Sequence, residues 1–145
     1  MRTKGANGVG RFSVDFEIAN YGDVILARDG YLDANKVRRR TFQGVVDPGA
    51  VMLVLPQSLV KELGLPMRNN IKVRYADGRR AKRREAQDAH VELLGRDGNF
   101  SAIVEPKRTN ALIGAIVLEQ LDLLVDCQRQ RLIPRDPSGP IYEIE

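Results

Sequence analysis

A succession of short extended segments separated by turn signals constrains the fold of this chain more than any other feature. In residues 11–20 an apolar side chain occupies every second position from Phe12 to Ile18, which is the period of a half-buried strand. Asp77-Gly78 and Gly95-Arg96-Asp97-Gly98 each lie between extended segments, as is typical of β-hairpins. Many short strands with little helix predict an all-β barrel or sandwich.

Two short helices are predicted among these strands. Residues 56–64 begin with proline, carry Leu59, Val60 and Leu63, and end in glycine, a pattern typical of a helix with a glycine stop. Residues 115–121 can form one or two further helical turns. A short apolar run at 24–27 precedes a turn at 28–30. The remaining strands are predicted at residues 36–46, 70–75, 80–85, 89–94, 100–105, 111–114, 123–125 and 131–134.

The length of 145 residues is that of one domain with a single core. Residues 1–10 are polar and glycine-rich, without the apolar core of a signal peptide, and are predicted to be a flexible N-terminal tail. The domain is predicted to span residues 11–134. Residues 135–145 are predicted to be a C-terminal tail, whose alternating segment 141–144 could pair at a sheet edge or at a dimer interface.

Composition limits the chemistry. The chain has one cysteine, Cys127, and one histidine, His90, too few for an internal disulfide or a typical zinc site. The same scarcity argues against Ser-His-Asp and Cys-His mechanisms, so any catalysis must rest on carboxylates. A single cysteine fits a reducing compartment, and there is no apolar run of the roughly 18 residues that a membrane helix needs. We therefore expect a cytoplasmic protein with no cofactor, no metal and no membrane partner.

The stretch from Gly44 to Leu55 carries the candidate catalytic residue. A strand with two consecutive valines leads into Asp47, which is followed by Pro48-Gly49-Ala50 and a second apolar run. An aspartate before Pro-Gly is usually a turn former, and that role is the simplest interpretation of Asp47 by itself.

Three further features follow this stretch in a fixed order. They are the helix-like segment 56–64, the hairpin turn Tyr75-Ala76-Asp77-Gly78 and the apolar element Ala111-Leu112-Ile113-Gly114. Together with Asp47-Pro48-Gly49-Ala50, their order and spacing resemble the retropepsin-like (clan AA) aspartic proteases over about residues 37–134. Each motif alone is weak, whereas the ordered set is fairly specific.

The resemblance implies a closed retropepsin-like β-barrel with one or two short helices. It also implies an aspartic endopeptidase active as a homodimer, because one Asp47 per chain supplies only half of a carboxylate dyad. In that family the hairpin is a flap that closes over a peptide or protein substrate, which assigns residues 75–78 to the flap. Residues 111–114 would support the loop from behind, while Val54 and Tyr75 would line peptide subsites.

Pro48 departs from the family, which has threonine or serine at this position. The hydroxyl and backbone N–H of those residues hydrogen-bond across the two-fold axis, and proline has neither group. Proline also restricts the preceding Asp47 to extended backbone angles. The alternative prediction is therefore a catalytically weakened or inactive dimer that binds peptides in the same groove.

A run of five cations, Arg79-Arg80-Ala81-Lys82-Arg83-Arg84, follows the hairpin turn. On a strand it would form a solvated edge that is protected against aggregation. The functional alternatives are binding of an acidic peptide substrate or of nucleic acid, which a net charge of +4 permits. Single-stranded nucleic-acid binding usually uses interleaved aromatic side chains, and this run has none. A nucleic-acid partner or basic scaffold is therefore the weakest hypothesis.

Overall fold

This computed structural model describes residues 11–145 of the chain. Within that range the chain forms nine strands and three short α-helices, joined by loops and turns. The predicted tail at residues 1–10 lies outside the described residues. In chain order the strands are β1 Phe12–Asn20, β2 Arg39–Val46, β3 Leu53–Pro56, β4 Met67–Arg74, β5 Arg80–Leu93, β6 Arg96–Glu105, β7 Ala111–Ile113, β8 Leu123–Asp126 and β9 Arg131–Pro134. The helices are α1 Tyr21–Arg28, α2 Gln57–Leu63 and α3 Ala115–Leu121, with one 3-10 turn at Ala34–Lys36.

Six of these strands close into a barrel. They pair in the order β1-β2-β7-β3-β6-β5, and β5 pairs again with β1 in a register that sets Ile18 opposite Val91. Among the described strands, β4 pairs with β5 alone, so the two extend beyond the barrel as a hairpin. β8 and β9 form a separate antiparallel pair. The predicted all-β barrel is confirmed.

The core lies inside the barrel and beneath α2 and α3. On β1 the predicted apolar face points inward, since Phe16 and Ile18 are buried and Phe12 and Val14 pack against the core. Burying one such apolar side chain contributes about 1.5–3 kcal/mol, so the inward-facing side chains of the strands stabilise the barrel. The fully buried aliphatic side chains are Ile18, Val46, Leu53, Leu55, Leu59, Val60, Leu63, Val91, Ile113, Val117 and Leu121.

The apolar run at residues 24–27 lies in helix α1, a third helix that the sequence analysis missed. Asn20 caps this helix, because its Oδ1 accepts a hydrogen bond of 3.0 Å from the N–H of Asp23. The Asn20 side chain also donates to the carbonyl of Leu63 at 2.9 Å. Asp23 in turn accepts two hydrogen bonds from the Arg38 guanidinium, which lower the pKa of its carboxyl.

The two strands predicted at residues 80–85 and 89–94 form one strand, β5. A register shift lies between Ala86 and Ala89, where Asp88 has a φ of 62°, so the strand bends without ending. The following hairpin turn was also misplaced. It lies at Leu94-Gly95, both with positive φ, and β6 already begins at Arg96.

The predicted C-terminal tail is held by Asp122, the residue directly after α3. The Asp122 carboxylate accepts hydrogen bonds from Arg135 Nε at 2.8 Å and from the Ile141 N–H at 3.0 Å. These bonds lower the pKa of Asp122, with the Arg135 bond the larger cause. Residues 141–144 form no strand within the described chain, and their pairing at a dimer interface stays a prediction.

Candidate active site

Asp47 stands directly after β2 on a tight turn. Its backbone N–H donates to the carbonyl of Ile113 at 3.0 Å, and its carbonyl accepts from Ala50 N–H at 3.0 Å. The carboxylate oxygen Oδ1 accepts from Gly49 N–H at 3.0 Å, which closes an Asx turn. The turn therefore fixes the Asp47 side chain, while Pro48 and Gly49 are exposed beside it.

The strand behind this turn is β7. It pairs in parallel with β2 through Val46 and Ile113, and it meets β3 where Leu112 lies opposite Val54. At Gly114 the backbones come so close that an added Cβ would lie 2.5 Å from the Met52 carbonyl oxygen. Only glycine fits there without a backbone shift. The structure therefore brings residues 47–50 and 111–114 together.

The β4–β5 hairpin lies over the same cleft. Its turn is closed by a hydrogen bond of 2.8 Å from Tyr75 N–H to Arg79 O, and Gly78 has a φ of 88°. Tyr75 and Ala76 line the cleft, whereas Asp77 is exposed and accepts a hydrogen bond from Arg79 N–H. That bond lowers the pKa of Asp77. Of the four predicted flap residues, two thus contribute to the cleft wall.

Side-chain contacts hold the hairpin to β6. The Tyr75 hydroxyl donates to Glu105 at 2.7 Å, and Arg83 Nε donates to the other oxygen of Glu105 at 2.6 Å. The Arg79 guanidinium lies 4.3 Å from the centre of the Tyr75 ring, a cation–π distance. Burial, reinforced by the hydrogen bond to Glu105, raises the pKa of Tyr75. Glu105 in turn raises the pKa of Arg83.

The cleft between the Asp47 turn and the hairpin has a volume of about 650 Å³. This is the size of a site that holds a small ligand or a few residues of a peptide. Its apolar wall is formed by Val51, Met52, Val54, Val73, Ile103 and Leu112. Asp47 and Glu105 are its acidic residues, and four cations share the lining: Arg11, Lys72, Arg74 and Arg108.

The sequence analysis missed Arg11 and Arg108. Arg11 Nη2 lies 2.5 Å from Asp47 Oδ2, with half of the Arg11 side chain exposed and 18% of Asp47. The β1–β2 register explains this contact, because Phe12 lies opposite Val46 and the next pair outward is Arg11 and Asp47. The sequence pattern alone did not give that register. Arg108, on the β6–β7 connection, had no comparable signal. Burial, and to a smaller degree Arg11, lower its pKa.

The other titratable candidates lie away from this cleft. His90 stacks on Tyr21 with ring centres 5.5 Å apart and contacts Asn99. Cys127 is exposed, and Asp126 pairs with Arg131. Within residues 11–145 no three His, Cys, Asp or Glu side chains converge to hold a metal ion. The helices of that same part are all too short or too polar to cross a membrane.

The closed barrel, with an aspartate turn and a hairpin facing one cleft, is a retropepsin-like all-β fold. Among solved structures, the chain is similar to the EIAV protease complexed with the inhibitor HBY-793. The match has a TM-score of 0.54 and 14% sequence identity, and it covers 77% of this chain and 88% of that chain. No protein-family model matches the sequence, and no curated protein matches it. The likeness to a retroviral protease thus lies in the fold.

Proposed function

We propose that the protein is an aspartic endopeptidase whose active form is a homodimer. The observation that carries this proposal is the placement of Asp47, which a backbone-fixed turn presents to a peptide-sized cleft under a hairpin. In a retropepsin-like fold this is the position of a catalytic carboxylate. The proposed roles are catalysis for Asp47, positioning for Gly49, Ala50 and residues 111–114, and substrate covering for the hairpin.

The dimer is required because residues 11–145 of one chain do not offer a second available carboxylate in the cleft. Glu105 is the other acidic residue of the cleft, but Tyr75 and Arg83 occupy its two oxygens. A two-fold axis through the Asp47 turns would bring each carboxylate against its copy. Two carboxylates about 3 Å apart cannot both ionise, so the pair shares one proton.

In the proposed reaction a water molecule lies between the two Asp47 carboxyl groups. The ionised carboxylate takes a proton from the water as its oxygen forms a bond to the scissile carbonyl carbon, and the protonated partner donates to the developing oxyanion. The resulting tetrahedral diol then breaks its C–N bond as the amide nitrogen receives a proton from the dyad. One hydroxyl of the diol returns its proton to the dyad as the carbonyl re-forms, so an amine and a carboxylic acid leave and the dyad again holds one proton.

The hairpin would exclude water from this reaction once a peptide is bound. Val54 and Tyr75 lie in the cleft and would contact side chains of the substrate. Because the contacts of Tyr75 and Arg83 with Glu105 are polar and few, the hairpin can open without breaking the barrel. Such opening would admit the peptide and release the products.

A second candidate function is peptide binding without efficient hydrolysis. Two observations favour it. Pro48 lacks the N–H and hydroxyl that would join the two turns across the axis, and Arg11 occupies Asp47 Oδ2 in the described chain. For the dyad to form, the Arg11 side chain must leave the place that the partner's carboxyl has to take. The cytoplasmic location suggested by composition stays a prediction.

Incubation of the purified protein with a mixed peptide library at acidic and neutral pH tests the proposal. Mass spectrometry should detect cleavage by the wild type that is absent with Asp47→Asn, and sedimentation should show a dimer for both. Equal cleavage by the two proteins would end the peptidase proposal. Selective peptide retention by a dimer without cleavage would support the binding function instead.

A further inference from the structure

The charge of the cleft is unusual for a site that is to bind an uncharged stretch of peptide. Arg11, Lys72, Arg74 and Arg108 face two carboxylates there. One of these, Glu105, already forms an ion pair of 2.6 Å with Arg83, which stands outside the cleft lining. The other, Asp47, is assigned to the reaction. The cleft therefore presents an excess of positive charge to whatever enters it.

Arg108 is the cation in this group with the clearest unused binding capacity. It is half-buried, and within residues 11–145 its one hydrogen bond runs from Nε to the Asn110 carbonyl at 2.9 Å. No carboxylate in the described part of the chain lies within ion-pair distance of it. With respect to the described part of the chain, its two terminal nitrogens remain as donors in a fork that matches a carboxylate.

The surroundings explain why an anion would be favourable at this position. Burial lowers the pKa of Arg108, and the nearby Arg11 lowers it further. A partly desolvated guanidinium beside a like charge gains more from a carboxylate than an exposed arginine does. Asp47 and Arg108 line the same cleft, so a group bound at Arg108 would lie in the cleft that also holds the proposed reacting carboxylate.

We propose that Arg108 forms a subsite that binds a carboxylate of the peptide substrate in the cleft that Asp47 also lines. This inference rests on the proposed peptidase or peptide-binding function and names its substrate class. The carboxylate would come from an Asp or Glu side chain or from the C-terminus of a short peptide. A substrate with a neutral isostere in this position would leave the guanidinium without its partner, so its kcat/KM would be lower.

Matched peptides test this subsite. Cleavage rates are compared for peptides that differ as Glu against Gln or Asp against Asn, each with a free or an amidated C-terminus. We expect the acidic peptides to have a kcat/KM about 10-fold higher or more, as a charge-assisted bidentate contact provides. If the Glu or Asp peptide is cleaved faster than its amide counterpart even when both have amidated C-termini, the subsite binds a side-chain carboxylate. If only peptides with a free C-terminus are cleaved faster, the subsite binds the terminal carboxylate.

Variants connect the preference to Arg108. In Arg108→Gln the ratio of acidic to neutral rates should fall to about 1, and Arg108→Lys should restore part of it. The matched control is Lys107→Gln, which removes an adjacent exposed cation outside the cleft and should keep the wild-type ratio. Thermal melting of each variant separates loss of selectivity from loss of folding.

The outcomes distinguish this inference from the proposed function. If the wild type cleaves acidic and neutral peptides equally, or if Arg108→Gln keeps the ratio, the subsite is wrong while the peptidase stands. If nothing is cleaved, fluorescence anisotropy of the same peptides with the full wild-type chain decides the question. Preferential binding of acidic peptides that Arg108→Gln abolishes would support the subsite without hydrolysis, and equal binding would overturn it.

Discussion

The two walls of the cleft are built in different ways. The Asp47 wall is held by backbone hydrogen bonds and by Val46 and Ile113, both fully buried. The hairpin wall continues from the barrel strand β5. Its projecting part contacts β6 through the polar contacts of Tyr75 and Arg83 with Glu105, and its tip is exposed. Packed backbone resists displacement, whereas a few part-buried polar side-chain contacts can open and close. One wall can therefore keep a carboxylate in position while the other admits a substrate.

The largest expected effect comes from adding a methyl group to each wall. Gly114→Ala would place a Cβ 2.5 Å from the Met52 carbonyl oxygen and 2.8 Å from that of Ala50, which should destabilise the protein by about 3 kcal/mol. In the hairpin, Gly78→Ala meets open space, and only its φ of 88° is unfavourable, for a cost of about 1–2 kcal/mol.

Urea denaturation of both alanine variants measures this difference. A matching loss of stability in the two would show that the walls do not differ in rigidity. Peptide binding by the two variants gives a second comparison. Gly78→Ala should bind peptide better than Gly114→Ala, because it leaves the Asp47 turn unchanged.

A smaller effect is expected from Arg11→Gln, which frees Asp47 Oδ2 on the rigid wall. Half of the Arg11 side chain in the Arg11–Asp47 pair is exposed, and such pairs near the surface contribute up to about 1 kcal/mol. If the dyad must displace Arg11, peptide cleavage at low salt should rise by up to about 5-fold. High salt should bring the wild type toward the variant.

Arg28→Gln is the matched control, because it removes an exposed arginine that pairs with the adjacent Asp29, and neither residue lines the cleft. It should leave the cleavage rate unchanged. A lower rate in Arg11→Gln would mean that Arg11 supports the reaction or the fold of the active dimer.

The smallest expected effect concerns the hairpin wall and its pH dependence. Tyr75→Phe removes the hydroxyl that donates to Glu105, so KM should rise a few-fold with little change in the free energy of unfolding. The pKa of Tyr75 is raised in the folded chain. The contact is therefore fully present below the ordinary tyrosine value of about 10 and is lost as the pH rises through the higher folded value.

Hydrogen exchange of the hairpin amides can follow this loss. In the wild type, exchange corrected for its intrinsic pH dependence should accelerate only above about pH 10, while in Tyr75→Phe it should already be fast at neutral pH. Tyr142→Phe is the control, since that hydroxyl bonds to the Gln120 carbonyl at the C-terminal tail. Identical hairpin exchange in wild type and Tyr75→Phe would contradict the proposed closure contact.

Local patterns predicted the larger part of the fold. The two-residue period of β1, the Pro-to-Gly segment of α2 and the Asp77-Gly78 turn appear as expected. Each of these elements depends on the conformational preferences of a few adjacent residues, so a short stretch of sequence is sufficient to predict it. The Asp47 turn also follows from local residue types, whereas the close approach at Gly114 was expected only from the family resemblance. The functional role of both stays a proposal.

The misses share a different cause. Residues 24–27 fit a strand or a helix equally well, and the helix forms because Asn20 caps it and bonds to the distant Leu63 carbonyl. The single strand β5 exists because β1, β4 and β6 all pair along its length, which overrides the break expected near residue 87. These outcomes depend on partners far away in the chain.

The amino-acid order alone predicted that short strands would alternate with tight turns and that Asp47 would follow a strand at a turn, and it led to the expectation that carboxylates would carry any catalysis. The tertiary structure decided that the barrel closes between β5 and β1 and that Arg11 and Arg108 share the cleft with Asp47. The reason is physical: turn and strand preferences act between neighbours, whereas the charge around a carboxylate is set by side chains that the closed barrel brings together.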